Sequence, residues 1–391
     1  MIRPLLLASA IAAITLPAAA GSAIDPFQPN ESERAQLAVL DHPNSYFVER
    51  LKGPRENKDG VLLHPKVQFF LETIARPADT PESTREEAAQ FATPKGRAEI
   101  RAWVDRNWAF KTQASAPMAS VDDLRIPGRD GEIPVRVYRP ALEQPAALPV
   151  LVYFHGGGWL FGSIEAVDRA VRLIANEARV VVVSVDYRLA PEHVYPAAHN
   201  DAEDAYRWVK ANAASLGGDP ALVGVGGDSA GGNLAISVSV RQLAAGRPVP
   251  TYQLLYYPVT DTRRNTRSFG LFASGYGLDA MFIDEMVATV FPDAKTHAFA
   301  EVSPLRAKSL QGLPATMLVA AGYDVLRDQG RAFARRLEQS GVSVVYLNYS
   351  GLGHGFMQRS AVYDEAERAT LHTAQVFGQA IRSRPAMLGA R

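Results

Sequence analysis

The amino-acid sequence predicts an α/β protein with a mostly parallel sheet covered by helices on both faces. From Leu124 onward, short apolar and β-branched runs alternate with segments of helix length. Runs that are apolar throughout are typical of strands buried on both sides, and their alternation with helices indicates βαβ units. The 391 residues are enough for one large catalytic domain with an accessory part.

The composition excludes several classes of protein. Lys and Arg together number 41, Asp and Glu also number 41, and no long block of like charge occurs. This balance argues against a general nucleic-acid-binding protein. The chain has no Cys, so disulfides, zinc–thiolate sites and iron–sulfur clusters are excluded.

Residues 1–23 are predicted to be a signal peptide. Arg3 is followed by 12 small or apolar residues from Leu5 to Leu16 and then by an Ala-x-Ala pattern that ends at Ala20. The apolar run is shorter than the roughly 20 residues that span a membrane. We therefore expect cleavage after Ala20 or Ala23 and a periplasmic or secreted protein, with a membrane anchor or a buried N-terminal helix as the alternatives.

Residues 24–120 are predicted to be helical, with Pro-rich connectors and no clear strand. Helices are expected at 31–40, 84–91 and 96–107. The remainder, 121–391, is predicted to be the catalytic domain. Its strands are expected at 134–139, 148–154, 179–185, 222–225, 252–257, 316–321 and 342–349, and its helices at 165–177, 196–212, 230–245, 328–339 and 363–381.

One stretch, 260–304, interrupts the alternation of strands and helices. A structureless loop of this length is improbable inside a compact domain. We expect an inserted helical element that lies over the strand ends, with a helix at 280–290.

A glycine loop follows the predicted strand 148–154, with the sequence His155-Gly156-Gly157-Gly158. Successive glycines let backbone N–H groups approach a bound atom, which in acyl transfer is the developing oxyanion. A phosphate-binding loop is the alternative, but neither G-x-x-x-x-G-K-[ST] nor G-x-G-x-x-G occurs in the chain.

The segment Gly227-Asp228-Ser229-Ala230-Gly231 stands between a predicted strand and a predicted helix. A nucleophile elbow requires this placement, because the tight strand–turn–helix holds the Ser hydroxyl above the sheet. The alternative is a glycine-rich turn with a bystander Ser.

A serine nucleophile needs a His base and an acid that orients the base. Of eight His residues, His354 is favoured because it lies in a glycine-rich loop after the last predicted strand. The acid is expected after strand 316–321, where Asp324 comes first and Asp328 stands at the predicted helix start. We assign Asp324, and the chain order Ser, Asp, His is that of α/β-hydrolases.

With these motifs, the chain resembles the hormone-sensitive-lipase-like family of α/β-hydrolases, the bacterial family IV esterases. The likeness also includes Asp186-Tyr-Arg-Leu-Ala-Pro-Glu192 and His354-Gly-Phe, and it extends from about residue 120 to 385. It implies an α/β-hydrolase fold with an eight-stranded, mostly parallel sheet under a helical cap. Residues 24–120 and 260–304 would build the cap.

The resemblance also implies roles for individual residues. Ser229 would be the nucleophile, His354 the general base and acid, and Asp324 the orienting carboxylate. The oxyanion hole would come from the N–H groups of Gly157, Gly158 and Ala230, with Gly156 shaping its loop. Trp159 and Tyr276 are candidate substrate-binding residues, and Gln329 stands where a Glu is common.

The expected function is hydrolysis of short- to medium-chain carboxylic esters through an acyl-enzyme. The resemblance implies small-molecule ester substrates, no cofactor, no metal and no nucleic-acid partner, no membrane span in the mature form, and a possible homodimer. An amidase or lactam hydrolase with the same triad, or a non-catalytic ligand-binding homologue, are the alternatives.

Overall fold

The computed structural model describes residues 19–21, 23–73, 89–142 and 147–388. The predicted signal peptide up to residue 18 and most of the predicted helix 84–91 lie outside these residues. Within them, the strands are β1 (Ala19–Gly21), β2 (Asn57–Lys58), β3 (Val61–Leu62), β4 (Met118–Gly128), β5 (Gly131–Pro140), β6 (Leu148–Phe154), β7 (Val181–Val185), β8 (Gly218–Asp228), β9 (Tyr252–Tyr256), β10 (Ala315–Tyr323) and β11 (Val344–Gly353).

The main sheet has the strand order β1-β4-β5-β7-β6-β8-β9-β10-β11, and β2 and β3 form a separate hairpin. Strand β5 runs antiparallel to β4 and β7, whereas the pairs from β7 through β11 are parallel. The eight strands β4–β11 are the predicted, mostly parallel sheet. Strand β1 adds a short antiparallel edge beside β4, and its residues belong to the predicted signal peptide.

The central strands are buried along their whole length, without alternation. All residues of β7, β9 and β10 are buried, as are all but the first of β6. This burial on both faces requires helices that flank the sheet. The helices span Glu31–Leu40, Asn44–Val48, Pro65–Thr73, Pro94–Lys111, Ile164–Ala178, Ala197–Asn212, Ala230–Ala244, Arg267–Leu271, Ala280–Val290, Arg327–Gln339 and Asp364–Leu388.

The N-terminal region differs from the prediction. It contains the short β2–β3 hairpin and the helices Asn44–Val48 and Pro65–Thr73, and β4 begins at Met118, before the expected change of character at Leu124. Strand β4 was not predicted because it contains charged residues. In the structure, Asp122 pairs with Arg139 of the neighbouring strand, and Asp123 pairs with Arg136. A single-sequence pattern does not reveal such cross-strand ion pairs.

The parallel register brings four loops to one edge of the sheet. Phe154 of β6 is paired with Gly227 of β8, and Asp228 with Tyr256 of β9. The residues that follow β6, β8, β10 and β11 are therefore neighbours at the carboxyl edge, which is where α/β sheets bind ligands.

The hairpin β2–β3 is fixed onto this same edge by Tyr323, the last residue of β10. The Tyr323 hydroxyl accepts a hydrogen bond from Lys58 N–H (3.0 Å) and donates to the Val61 carbonyl (2.6 Å). Among the described residues, no helix has the length and apolar character needed to cross a membrane.

Candidate active site

Ser229 lies at a sharp turn between β8 and the helix Ala230–Ala244. Its backbone has φ 54° and ψ −117°, a strained conformation for a residue with a Cβ. The turn packs so closely on β6 that a Cβ at Gly231 would lie 1.9 Å from the Phe154 carbonyl oxygen. Glycine at this position is what lets the turn approach β6 and hold the Ser229 hydroxyl at the sheet edge.

Two hydrogen bonds join the three predicted catalytic side chains. His354 Nε2 is 3.0 Å from Ser229 Oγ, and His354 Nδ1 is 2.8 Å from Asp324 Oδ2. The other oxygen of Asp324 accepts the Leu326 N–H at 2.8 Å, and Asp324 is only 1% exposed. The carboxylate is therefore held in one orientation, toward the imidazole.

Asp328, the rival candidate for the acid, has different partners. Its carboxylate accepts the Ser268 N–H at 2.9 Å and the Arg327 Nε–H at 2.9 Å. Asp328 thus fastens the insertion to the helix Arg327–Gln339, whose N-cap is Leu326.

The glycine loop supplies free N–H groups beside Ser229. Gly157 has φ 105°, and a Cβ there would lie 2.2 Å from the Phe161 carbonyl oxygen, so the position requires glycine. Within the described part of the chain, the N–H groups of Gly157, Gly158 and Ala230 donate to no protein acceptor. The N–H of Gly156 is not free, because it donates to Asp228 Oδ1 at 3.0 Å. Gly156 therefore holds the loop in place and offers no N–H for an oxyanion.

Asp228 anchors the glycine loop from the elbow. It is fully buried and accepts hydrogen bonds from Tyr153 Oη (2.7 Å) and Gln358 Nε2 (2.7 Å) in addition to Gly156. Burial raises the pKa of Asp228, and these donors counter that effect by stabilising the carboxylate. No role for Asp228 is predicted from the sequence, because Tyr153 and Gln358 lie 75 and 130 residues away in the chain.

His354 is supported by residues of its own loop and of the loop after β9. The ring of Tyr257 lies 4.7 Å from the His354 ring, between centroids, and the Tyr257 hydroxyl donates to Gln358 Oε1 at 3.1 Å. Arg359 donates to the His354 carbonyl. Tyr257, Gln358 and Arg359 were not predicted from the sequence, because no motif marks them.

A cavity of about 990 Å³ opens at His354. Its walls come from the N-terminal region (Phe70, Lys111), from the insertion (Tyr276, Phe282) and from the His354 loop. Tyr276, a predicted substrate contact, lies on this wall, and its hydroxyl donates to Glu56 Oε1 at 2.7 Å.

Trp159 does not reach the cavity. Its side chain is 1% exposed and packs against Phe291 (5.2 Å between ring centroids) and His199 (6.3 Å). The structure therefore places Trp159 in the core beneath the glycine loop, which corrects the expectation of a substrate contact. Trp159 is adjacent to Gly158 in sequence, but its backbone adopts a positive φ of 58°, and its side chain is buried instead of facing the cavity.

Gln329 hydrogen-bonds to the start of the insertion. Its Oε1 accepts the N–H groups of Thr260 (2.7 Å) and Asp261 (2.8 Å). Among the described residues, no group of three or more His, Cys, Asp or Glu side chains could hold a metal ion.

The chain was also compared with known proteins. A family profile described as alpha/beta hydrolase fold matches residues 151–358. Carboxylic ester hydrolase LipN of Mycobacterium tuberculosis is 44% identical over 61% of this chain, which spans 64% of LipN. Ethyl acetate hydrolase of Pseudomonas putida is 39% identical over 66% of this chain and 82% of its own length.

Solved structures show the same likeness. A hyperthermophilic esterase from the archaeon Pyrobaculum calidifontis superposes with a TM-score of 0.69 at 35% identity. The match covers 76% of this chain and 99% of that one.

Proposed function

This chain belongs to the α/β-hydrolase family, and from that premise we propose that it is a serine carboxylesterase that cleaves short- to medium-chain esters through an acyl-enzyme. One observation carries the proposal: the hydrogen-bonded chain from Ser229 Oγ through His354 to the buried Asp324 carboxylate. A hydroxyl next to an oriented imidazole is the arrangement that activates serine for acyl transfer.

In the acylation half-reaction, Ser229 Oγ attacks the ester carbonyl carbon and its proton passes to His354 Nε2. The carbonyl oxygen becomes an anion, which the N–H groups of Gly157, Gly158 and Ala230 are free to bind. The bond to the leaving alcohol then breaks, and the alcohol oxygen takes the proton from Nε2. Asp324 stabilises the transient imidazolium and keeps Nδ1 protonated.

In the deacylation half-reaction, a water molecule replaces the alcohol. Its proton passes to His354 Nε2 while its oxygen attacks the acyl carbon. When the tetrahedral intermediate collapses, Ser229 leaves with the proton from Nε2 and the carboxylic acid is released. No electron is gained or lost, and the cycle needs no co-reactant other than water.

The proposed substrate size rests on the cavity and on the relatives. The cavity of about 990 Å³ has Phe70, Tyr276 and Phe282 on its walls, which suits apolar groups, and one relative is named for ethyl acetate. Esters of short- to medium-chain carboxylic acids are the class that we propose.

The test is hydrolysis of p-nitrophenyl esters from C2 to C12, with Ser229→Ala beside the wild type. We expect turnover by the wild type and a loss of about 10⁴ or more in kcat for the variant, as removal of a triad nucleophile does. The chain-length optimum of the wild type measures the acyl pocket. Equal rates for both proteins would contradict the proposal.

Matched p-nitroanilides decide between ester and amide hydrolysis. Cleavage of anilides but not of esters would replace the proposal with an amidase. Binding of esters without turnover by the wild type would favour a ligand-binding homologue.

A further inference from the structure

Two cationic side chains line the cavity next to His354, namely Lys111 and Arg359. Lys111 is only 8% exposed, and its Nζ donates to Asn107 Oδ1 at 2.8 Å and lies 4.6 Å from the centroid of the Phe70 ring. Arg359 is half-buried and donates to the His354 carbonyl.

Neither cation has an acidic partner in the ranges that the structure describes. Arg106, a third cation on the same cavity, is by contrast paired with Glu33 at 2.7 Å. A nearly buried ammonium without a carboxylate is unfavourable, because the Asn107 oxygen and the Phe70 ring replace only part of the water that burial removes. Burial and the neighbouring Arg359 together lower the pKa of Lys111 to about 7.

The acids of the cavity are already engaged. Glu33 is held by Arg106, and the carboxylate of Asp279 accepts the Gly275 N–H at 3.0 Å. Arg359, together with Lys111 when it is protonated, therefore leaves an excess of positive charge beside the triad histidine, and a carboxylate bound there would itself favour the protonated form of Lys111.

We propose that Lys111 and Arg359 form a subsite for a carboxylate, so that the preferred substrates are esters that carry a second, free carboxylate group. A guanidinium binds carboxylates through paired N–H donors, and a buried ammonium adds a charge-assisted hydrogen bond. The inference rests on the proposed esterase function and adds the chemical class of its substrate.

The carboxylate can belong to the acyl part or to the alcohol part of the ester. Monomethyl glutarate tests the acyl part against its neutral isostere methyl 5-methylhexanoate. For the alcohol part, 4-acetoxybutanoate is compared with 4-methylpentyl acetate. Acid release is followed by titration at constant pH, and the readout is the ratio of kcat/KM for the anionic ester to that for its isostere.

We expect this ratio to favour the anionic ester in at least one pair and to fall about tenfold in Lys111→Met and in Arg359→Met, since a hydrogen bond to a charged group is typically worth that factor. Arg359→Lys keeps the charge and should retain more of the ratio than Arg359→Met. The double variant Arg106→Met/Glu33→Gln removes an ion pair from the same cavity without a change of net charge, and it should leave the ratio unchanged.

Hydrolysis of p-nitrophenyl acetate by the wild type distinguishes a missing carboxylate subsite from a missing esterase activity. If the wild type hydrolyses p-nitrophenyl acetate but prefers the neutral isostere in both pairs, the subsite is overturned and the esterase stands. If it hydrolyses no ester, both are overturned.

Should the cavity variants fail to fold, calorimetry of Ser229→Ala with monomethyl glutarate and with methyl 5-methylhexanoate replaces them. Tighter binding of the anionic ester is expected. Equal or weaker binding overturns the subsite.

Discussion

At the scale of single residues, the candidate site depends on which of two neighbouring carboxylates faces the imidazole. Asp324 and Asp328 are four residues apart and follow the same strand, yet only Asp324 contacts His354. Asp324 comes directly after β10, at the sheet edge, whereas Asp328 is already in the first turn of the next helix. The helical turn directs Asp328 toward Ser268 of the insertion.

This difference gives a paired prediction. Asp324→Asn should lower kcat for p-nitrophenyl acetate by about 10⁴, because an amide cannot hold the correct tautomer of His354. Asp328→Asn should leave kcat within about threefold of the wild type, because it contacts no reacting group. It should instead lower the free energy of unfolding by about 1 kcal/mol, because the single amide oxygen can accept only one of the two hydrogen bonds that Ser268 and Arg327 donate to the carboxylate. Equal losses of kcat in both variants would contradict the assignment of Asp324.

Lys111 gives a prediction about pH and stability. Its pKa is about 7 in the folded protein against 10.5 for an ordinary lysine, so the unfolded chain binds more protons between these values. The free energy of unfolding should therefore rise with pH across this window, by about 2 kcal/mol between pH 6.5 and 8.5. Denaturant titrations of the wild type and of Lys111→Met at both pH values test this.

In Lys111→Met, this contribution to the pH dependence should disappear, and the variant should be the more stable protein at pH 6.5. The charged group that faces Lys111 is Arg359, which is protonated throughout the window, so it adds no slope of its own. Parallel pH profiles for the two proteins would show that Lys111 is not the titrating group.

The meeting of the three candidate catalytic residues at the strand ends could be predicted from the sequence, whereas the residues that hold them in place could not. Ser229, Asp324 and His354 each stand directly after an apolar strand, so their meeting follows from the parallel sheet alone. Asp228 was passed over because its partners Tyr153 and Gln358 lie 75 and 130 residues away in the chain. Trp159 was misassigned because residue type alone does not distinguish a buried aromatic ring from one that lines a cavity.

At the scale of secondary-structure elements, strongly patterned segments were predicted with accurate bounds. The helices Glu31–Leu40 and Ala280–Val290 and the strand β6 have the predicted limits. Helix Glu31–Leu40 begins at a capping box, in which Asn30 and Glu33 satisfy each other's N–H groups. The two-residue strands β2 and β3 carry too little pattern to predict, and contacts with Tyr323 stabilise them.

The first described elements bear on the predicted signal peptide. The carbonyl of Ala23 accepts the Met118 N–H at 2.9 Å, and it also accepts a hydrogen bond from Arg172 Nη1 at 3.1 Å. Cleavage after Ala23 would remove both bonds and all of β1, whereas cleavage after Ala20 would keep both bonds and remove only the pairing of Ala19 and Ala20 with β4. We propose that the chain is exported and that the mature protein begins at Gly21, as checked by intact-mass measurement of protein recovered from the periplasm or medium. A mature chain that begins at Ile24, or one that retains Met1, would contradict this.

At the scale of the whole molecule, the cavity exists because two segments distant in sequence meet over the strand ends. Asp59 of the hairpin turn pairs with Arg267 of the insertion and with Arg327, which follows β10. Tyr276 of the insertion donates to Glu56, which precedes the hairpin. The sequence predicted that both segments are helical elements beside the sheet. It could not predict their docking, because single polar pairs across more than 200 residues leave no periodic signal.

The bond between Tyr276 and Glu56 allows this docking to be tested. The hydroxyl lowers the pKa of the Glu56 carboxyl, so the acceptor is ionised at neutral pH and the hydrogen bond is charge-assisted. Tyr276→Phe keeps the ring on the cavity wall but releases it from the N-terminal region. We expect a rise in KM for p-nitrophenyl hexanoate that exceeds the rise for the acetate, because the longer acyl chain contacts more of the wall.

A double-mutant cycle separates the bond itself from other effects of each substitution. Tyr276→Phe and Glu56→Leu, each of which removes the bond, should show when made alone and combined a coupling of about 1 kcal/mol in the free energy of unfolding, since both side chains are only partly buried. The second partner of Glu56, Lys58 at 3.1 Å, is present in all four proteins, so its contribution cancels in the cycle. Strict additivity would mean that the bond between Tyr276 and Glu56 does not contribute to the docking, which would then depend on other contacts such as the pair of Asp59 and Arg267, and the shift in KM should be absent as well.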